Sequence, residues 1–411
     1  MKVKDIKAIE ILDSRGNPTV RTYLTLDDGT IASASVPSGA STGVHEAMEL
    51  RDKDPKRYDG QGVLNAVNNV NGEIKKAIRG TEADVKSVDE AMISMDATPN
   101  KSKLGANAIL SVSMALARAI SLSSKVPLWK FLSDYYFDGK SGVPKIMFNV
   151  VNGGKHAGWN FDIQEFIIIP QKQLASEAVK MGVEIYHAIQ KNLKDKGLSR
   201  LVGDEGGFSP QLNSNEEVFQ LIVESASRIG YRNGQDFWLG IDAAASEFYS
   251  QGKYILKKDN REVTGQELVD YYLKLEEKYL VHTFEDVFDQ DDWENWSLFM
   301  SKVNPHNIVI GDDLYCTDTK RMKTGHEKNS SNAVLIKLNQ IGTVTETAAA
   351  IKLAQEYGWA VAVSHRSGET EDPFIADLAY SSGADFLKTG APTRSDRVSK
   401  HNRLIEIENK L

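Results

Sequence analysis

Apolar and polar positions follow two different rhythms, one before and one after a polar stretch near residue 140. At the start, residues 6–12 and 19–26 are rich in β-formers, and Asp13-Ser14-Arg15-Gly16-Asn17-Pro18 supplies turn chemistry between them, which predicts a β-hairpin. From about residue 62 to 79, and again from 104 to 122, apolar residues recur at helical spacing. Small residues such as Gly105, Ala106, Ala108 and Ala115 would let the second helix pack closely. Strands followed by helices predict an α+β domain, and Phe137-Asp138-Gly139-Lys140-Ser141-Gly142-Val143-Pro144 is the best linker candidate.

Beyond that linker, short apolar runs each end in a polar or charged residue. Residues 238–241 end at Asp242, 281–284 at Glu285, 308–311 at Asp312, 333–336 at Lys337, 360–364 at His365 and 384–387 at Lys388. These end residues are 43, 27, 25, 28 and 23 positions apart. Separations near 25 are what one strand plus one crossover helix needs. Repeated over the second part of the chain, the rhythm predicts a (β/α)8-type barrel rather than a solenoid.

Strand C-termini of such a barrel converge on one mouth, where active sites sit. Asp242, Glu285 and Asp312 would bring three hard oxygen ligands there, a donor set that suits Mg²⁺. Any one of these acids could equally be a cap or a surface residue, so the weight lies in the series. Lys337 and Lys388 each end an apolar run. Burial and a neighbouring cation would lower a lysine pKa and make a base, whereas carboxylates would make each a permanent counter-ion. Both readings stand for Lys388, and the base is preferred for Lys337.

Three glycine-rich stretches read as loops: residues 39–43 with Ser41, residues 152–158 with His156, and residues 202–207 with Asp204 and Glu205. Gly39-Ala40-Ser41-Thr42-Gly43 fits the nucleophile-elbow pattern of serine hydrolases. Pro37 and Ser38 stand where that elbow needs a buried strand, so this class is set aside. Gly139-Lys140-Ser141 ends like a Walker A loop, but Asp134 occupies the place of its first glycine. Ser364-His365-Arg366-Ser367 offers a grip for an oxyanion or phosphate. His45, His187, His282, His306, His326 and His401 lack metal-ligand spacing and read as structural.

Composition narrows the classes. Basic residues number 49 against 57 acidic ones, a net charge of −8, which argues against non-specific nucleic-acid binding. The single Cys316 excludes an intramolecular disulfide and fits a reducing compartment. The first residues carry no apolar signal region and no run of about eighteen apolar residues is evident, so the cytoplasm is expected and a membrane is not. A chain of 411 residues, 41% hydrophobic, can bury a sizeable core without staples.

Several long motifs resemble the enolases, the phosphopyruvate hydratases of glycolysis, in their prokaryotic form. They are Asp13-Ser14-Arg15-Gly16-Asn17-Pro18-Thr19, residues 36–43, residues 101–108, Gly203-Asp204-Glu205-Gly206-Gly207, Asn339-Gln340-Ile341-Gly342, residues 364–372 and Lys388-Thr389-Gly390-Ala391. The resemblance runs from about Ile6 to Ile405. It implies an α/β chain with an N-terminal α+β capping domain over residues 1–136 and a modified (β/α)8 TIM-like barrel over residues 143–411, its second strand reversed. It also implies reversible dehydration of 2-phosphoglycerate to phosphoenolpyruvate with two Mg²⁺ ions per site, the second bound with substrate.

Residue by residue, the resemblance gives Lys337 as the base, with Glu205 as the acid that protonates the departing hydroxyl, assisted by Glu165. Asp242, Glu285 and Asp312 match ligands of the first Mg²⁺, and Ser41 lies on a lid that helps to hold the second. His156, Gln164, Glu165, His365, Arg366, Ser367 and Lys388 match groups that hold or orient substrate. A homodimer, or an octamer built of dimers, is implied as well. Val287 after Glu285-Asp286 and the bulky Trp159-Asn160-Phe161 depart from the usual pattern without touching a matched residue.

Rival readings are weaker. A relative acting on an unphosphorylated acid would not need the Ser41 loop, Glu205 or the Arg366-Ser367 grip. A catalytically dead scaffold would not retain every matched residue. Many bacterial enolases are also found on cell surfaces, where a terminal lysine can engage plasminogen. Here Leu411 is last and Lys410 only penultimate, so plasminogen binding is a weak expectation.

Overall fold

The computed structural model describes residues 1–39 and 43–410. Ser41 lies outside the described residues. Strands β1 (Val3–Leu12), β2 (Pro18–Leu26) and β3 (Ile31–Ser35) form an antiparallel sheet in sequential order. The turn at residues 13–17 closes on Asp13, whose carboxylate accepts the Arg15 and Asn17 backbone N–H groups. The predicted helix at residues 62–79 is broken into Leu64–Asn69, a π-helical turn at Val70–Ile74 and Lys75–Ile78.

Helix Ala106–Ser123 packs on β2 and β3 as the centre of this part of the molecule. Contrary to the sequence expectation, it is long and apolar enough to cross a membrane. However, 78% of it is buried inside the protein, which makes it a core helix.

The second part is a closed eight-stranded barrel. Its strands are β4 (Lys145–Asn152), β5 (Glu165–Pro170) and β6 (Phe237–Asp242), then, after a small three-stranded sheet of β7 (Tyr249–Ser250), β8 (Lys253–Leu256) and β9 (Arg261–Val263), β10 (Val281–Glu285), β11 (Ile308–Gly311), β12 (Ala333–Ile336), β13 (Ala360–Ser364) and β14 (Phe386–Lys388). All neighbouring pairs around the barrel are parallel except those of β5, which runs against both β4 and β6.

Alternate strand residues divide two cores. Met147, Ile167, Ile169, Ile310, Ala333, Leu335, Ala362 and Phe386 fill the barrel interior, while Val334, Ile336, Val361 and Val363 face the surrounding helices. The strands are therefore buried on both faces and read as continuous apolar runs.

The two parts are tied by buried polar contacts. Arg118 donates to Asp372 at 2.6 and 3.0 Å, Lys101 to Glu346 at 2.9 Å, and the Thr345 backbone and hydroxyl to Asp89 at 3.1 and 2.6 Å. Ser38 pairs with Gly368 through backbone hydrogen bonds of 2.7 and 2.9 Å, which brings the segment before residue 40 to the barrel mouth.

Candidate active site

At the C-terminal end of the parallel strands lies a small cleft, partly open to solvent and lined almost wholly by polar side chains. Asp242, Glu285 and Lys388 are the last residues of β6, β10 and β14; Asp312, Lys337 and His365 directly follow β11, β12 and β13. Glu165 is the first residue of β5, and the reversal of that strand brings its N-terminus to the same rim. Gln164, just before it, donates its backbone N–H to the Asp242 carbonyl at 3.0 Å.

Glu205 arrives on a turn, and His156 on a short 3-10 helix, Gly154–Ala157, where the sequence predicts a loop. Gly206 takes φ +88°, a backbone state that only glycine adopts without strain, and this turns the chain directly after Glu205. Gly153 admits no side chain, because a Cβ there would sit 2.3 Å from the Ile163 carbonyl oxygen. Asn149 donates to Glu205 at 3.0 Å, and His156 Nδ1 lies 3.6 Å from Glu205 and 3.8 Å from Glu165.

Two ammonium groups organise the carboxylates. Lys388 Nζ is 2.7 Å from Glu285, 3.0 Å from Asp242 and 3.3 Å from Glu165, with only 3% of its side chain exposed. Burial pulls its pKa down, but Asp242, Glu165 and Glu285 outweigh burial and hold it well above the ordinary lysine range. Lys337 Nζ donates to Asp312. Burial lowers its pKa too, yet the Asp312 charge wins and raises it. Of the two readings open for Lys337, the preferred depressed pKa does not hold here, because the side chain pairs with Asp312 as a counter-ion does.

Glu165 and Glu205 form a coupled pair of acids. Burial and the neighbouring Glu205 push Glu165 well up. Burial raises Glu205 as well, but His365, His156 and Arg397 overcome it and leave Glu205 well below the usual carboxylate range. Arg397 Nη1 donates to His365 Nδ1 at 2.6 Å, so His365 presents its other nitrogen to Glu205 at 3.4 Å. Burial is the largest influence on His365 and His156 and depresses the pKa of both, against the opposing charge of Glu205.

The acids of the mouth can hold a hard cation. Among the described residues, the ligand atoms of Asp286, Asp312 and Asp313 lie within 4.8 Å of one another, as do those of His156, Glu165 and Glu205. Asp242 and Glu285 gather on Lys388, while Asp312 pairs with Lys337. Glu285 Oε2, Gln164 Oε1 and His156 Nδ1 are buried without a hydrogen-bond partner among the described residues, and all three residues belong to this cluster. Buried polar atoms of this kind mark a site built for something else to bind, and the oxygens fit Mg²⁺.

Sequence reasoning passed over several neighbours. Arg397, fully buried at the start of helix Ser395–Glu408, also donates to the Arg366 and Ser367 carbonyls at 2.5 and 2.6 Å. Asp286 accepts the backbone N–H groups of Asp312 and Asp313 at 2.9 and 2.8 Å and so fixes the end of β11. Thr317 sits at φ +56°, strained for a β-branched residue; its hydroxyl accepts the Lys337 N–H at 3.0 Å and donates to Gln340 at 2.8 Å. Only the charge of Arg397 and the Asp-Asp pair at 312–313 were visible in advance.

Comparison with known families now adds to the geometry. Residues 3–132 match the model described as enolase, N-terminal domain, and residues 140–411 match that of the enolase C-terminal TIM barrel domain.

Proposed function

The chain belongs to the enolase family, and we propose that it dehydrates 2-phosphoglycerate reversibly to phosphoenolpyruvate. Membership carries an enolase-type dehydration, hence a lyase, and it implies Mg²⁺ and oligomers. The observation that supports the finer reading is one cleft holding two ammonium groups, the neighbouring acids Glu165 and Glu205, and a set of hard oxygens at the strand ends.

In this reading Lys337 removes the proton next to the substrate carboxylate. That proton is hardly acidic, because its loss adds a second charge to an anionic group. Lys388 stands against the carboxylate and stabilises the charge as it develops. Asp242, Glu285 and Asp312, with Ser41 toward a second ion, would hold Mg²⁺, which would supply positive charge where the substrate carboxylate gains electrons and would give Asp312 a partner other than Lys337. The pairing of a lysine base with Mg²⁺ is general to this superfamily.

Hydroxide is a poor leaving group, so a proton must reach it. In this reading Glu205 passes that proton on after taking it up from the neighbouring Glu165, the acid whose pKa burial and Glu205 hold well up. His156, Gln164 and His365 orient the substrate, and Arg366 with Ser367 grips its phosphate. We place the protein in the cytoplasm as a homodimer or an octamer built of dimers.

Exchange of the substrate α-proton with solvent deuterium, followed by NMR, tests the central assignment. Lys337→Ala should abolish exchange in a folded protein. Exchange at the wild-type rate would remove Lys337 as the base.

A further inference from the structure

Glu46 lies outside the barrel, just after the glycine-rich segment, and is 320 positions from Arg366 in the chain. The two nevertheless form a closed fork. Arg366 Nη1 donates to Glu46 Oε2 at 2.8 Å and Nη2 donates to Oε1 at 3.0 Å. Their side chains are 2% and 8% exposed. Two parallel charge-assisted bonds fix the plane of a guanidinium as well as its position.

The same carboxylate reaches further. Glu46 Oε1 accepts the Gly43 backbone N–H at 3.0 Å, and Gln340 Nε2 lies 3.5 Å away. Gln340 Nε2 also donates to Asp312 at 2.8 Å. Asn339 Oδ1 accepts from Arg366 Nη1 at 2.9 Å and supports the guanidinium on the same nitrogen. One side chain of the N-terminal part thus touches the arginine of the proposed phosphate grip and an amide that holds a candidate metal ligand.

We propose that Glu46 is a positioning residue for the substrate phosphate, acting by locking the Arg366 guanidinium in the orientation that receives it; the proposal rests on the enolase reading above. Asp312 and Asp313 attract the same guanidinium. Without Glu46 the long Arg366 side chain would swing toward those acids, and part of the binding energy would go to recovering its orientation. An opposing effect exists, since a carboxylate near a phosphate repels it. Glu46 is already neutralised by a two-bond pair, so loss of orientation is expected to outweigh relief of repulsion.

Steady-state kinetics of the full chain with Mg²⁺, for wild type, Glu46→Ala and Glu46→Gln, decides between them. The phosphate is gripped equally before and during the chemical step, so the effect falls on KM. KM for 2-phosphoglycerate should rise about tenfold for Glu46→Ala and about threefold for Glu46→Gln, with kcat changed less than about twofold. The effect should also vanish in an Arg366→Lys background, because the lock would have nothing left to hold.

An unchanged KM in a folded variant would overturn the proposal even if the melting temperature fell, since that is the signature of a purely structural contact. A lower KM would overturn it as well, by showing that Glu46 competes with phosphate for the arginine. Should Glu46→Ala not fold, Glu46→Gln alone applies the same criterion. An inactive wild type would defeat the enolase reading itself, and active wild type with unaltered variants would defeat only the role of Glu46.

Discussion

Lys388→Met removes the one ammonium group that lies between Glu285, Asp242 and Glu165, at 2.7, 3.0 and 3.3 Å. With an effective dielectric constant of about 20, each contact with an ionised acid is worth roughly 5 kcal/mol of Coulomb energy. Most of this is offset by the cost of desolvating the lysine and by proton uptake onto the stranded acids, so a net loss of about 3–5 kcal/mol is expected. An unfolding entropy of about 2.1 cal/mol/K per residue converts that loss into a fall in Tm of about 4–6 °C for the whole chain.

The assay is thermal unfolding in EDTA and then in Mg²⁺. A divalent cation on the stranded carboxylates should replace much of the missing charge, so Mg²⁺ should raise the Tm of the variant more than that of the wild type. A variant that melts with the wild type in EDTA would refute the reasoning, since the three acids would then not depend on Lys388. Equal Mg²⁺ shifts in the two proteins would refute the cation-site half of the argument.

Other predictions follow from the same geometry. Glu205→Gln should retain measurable α-proton exchange while losing dehydration; simultaneous loss of both in a folded variant would leave the division of roles between Glu205 and Lys337 unsupported. Asp89, buried between Ser113 and Thr345, has its pKa raised by burial to about 7, so the folded state keeps the proton that the unfolded chain releases near pH 4. Stability should therefore fall by up to about 4 kcal/mol as pH rises from about 4 to 7 and level off above. Asp89→Asn should flatten that fall in Tm measured against pH, and a parallel profile would contradict the assignment. Arg397→Met should move the alkaline limb of the kcat profile to higher pH, because Glu205, the proton donor, loses one of the cations that hold it ionised; an unchanged pH profile would restrict Arg397 to a packing role.

Much of the barrel was readable because parallel strands, buried on both faces, end abruptly at the mouth where polar side chains are wanted. Asp242, Glu285, Asp312, Lys337, His365 and Lys388 all lie at such ends. The same rule fails for β5. That strand runs backward, so its polar residue, Glu165, stands before the apolar run Phe166-Ile167-Ile168-Ile169 rather than after it. Strand β4 escaped for a related reason, since its run Ile146-Met147-Phe148-Asn149-Val150-Val151 is interrupted by Asn149, which turns inward to Glu205.

The short strands β7 to β9 carry too few residues for a period to register. Partnerships were the least legible part. The raised pKa values of Lys337 and Glu165 and the fork between Glu46 and Arg366 all depend on which side chain faces which across the closed barrel and its cap. Residue spacing along the chain carries no record of those pairings, whereas the long motifs shared with the family did point to the residues themselves.

The measurement closest to the central claim is the ultraviolet absorbance of phosphoenolpyruvate formed from 2-phosphoglycerate, first with Mg²⁺ and then with excess EDTA. The account predicts turnover that requires the metal and stops on chelation. No turnover by the folded, Mg²⁺-supplemented protein would contradict it.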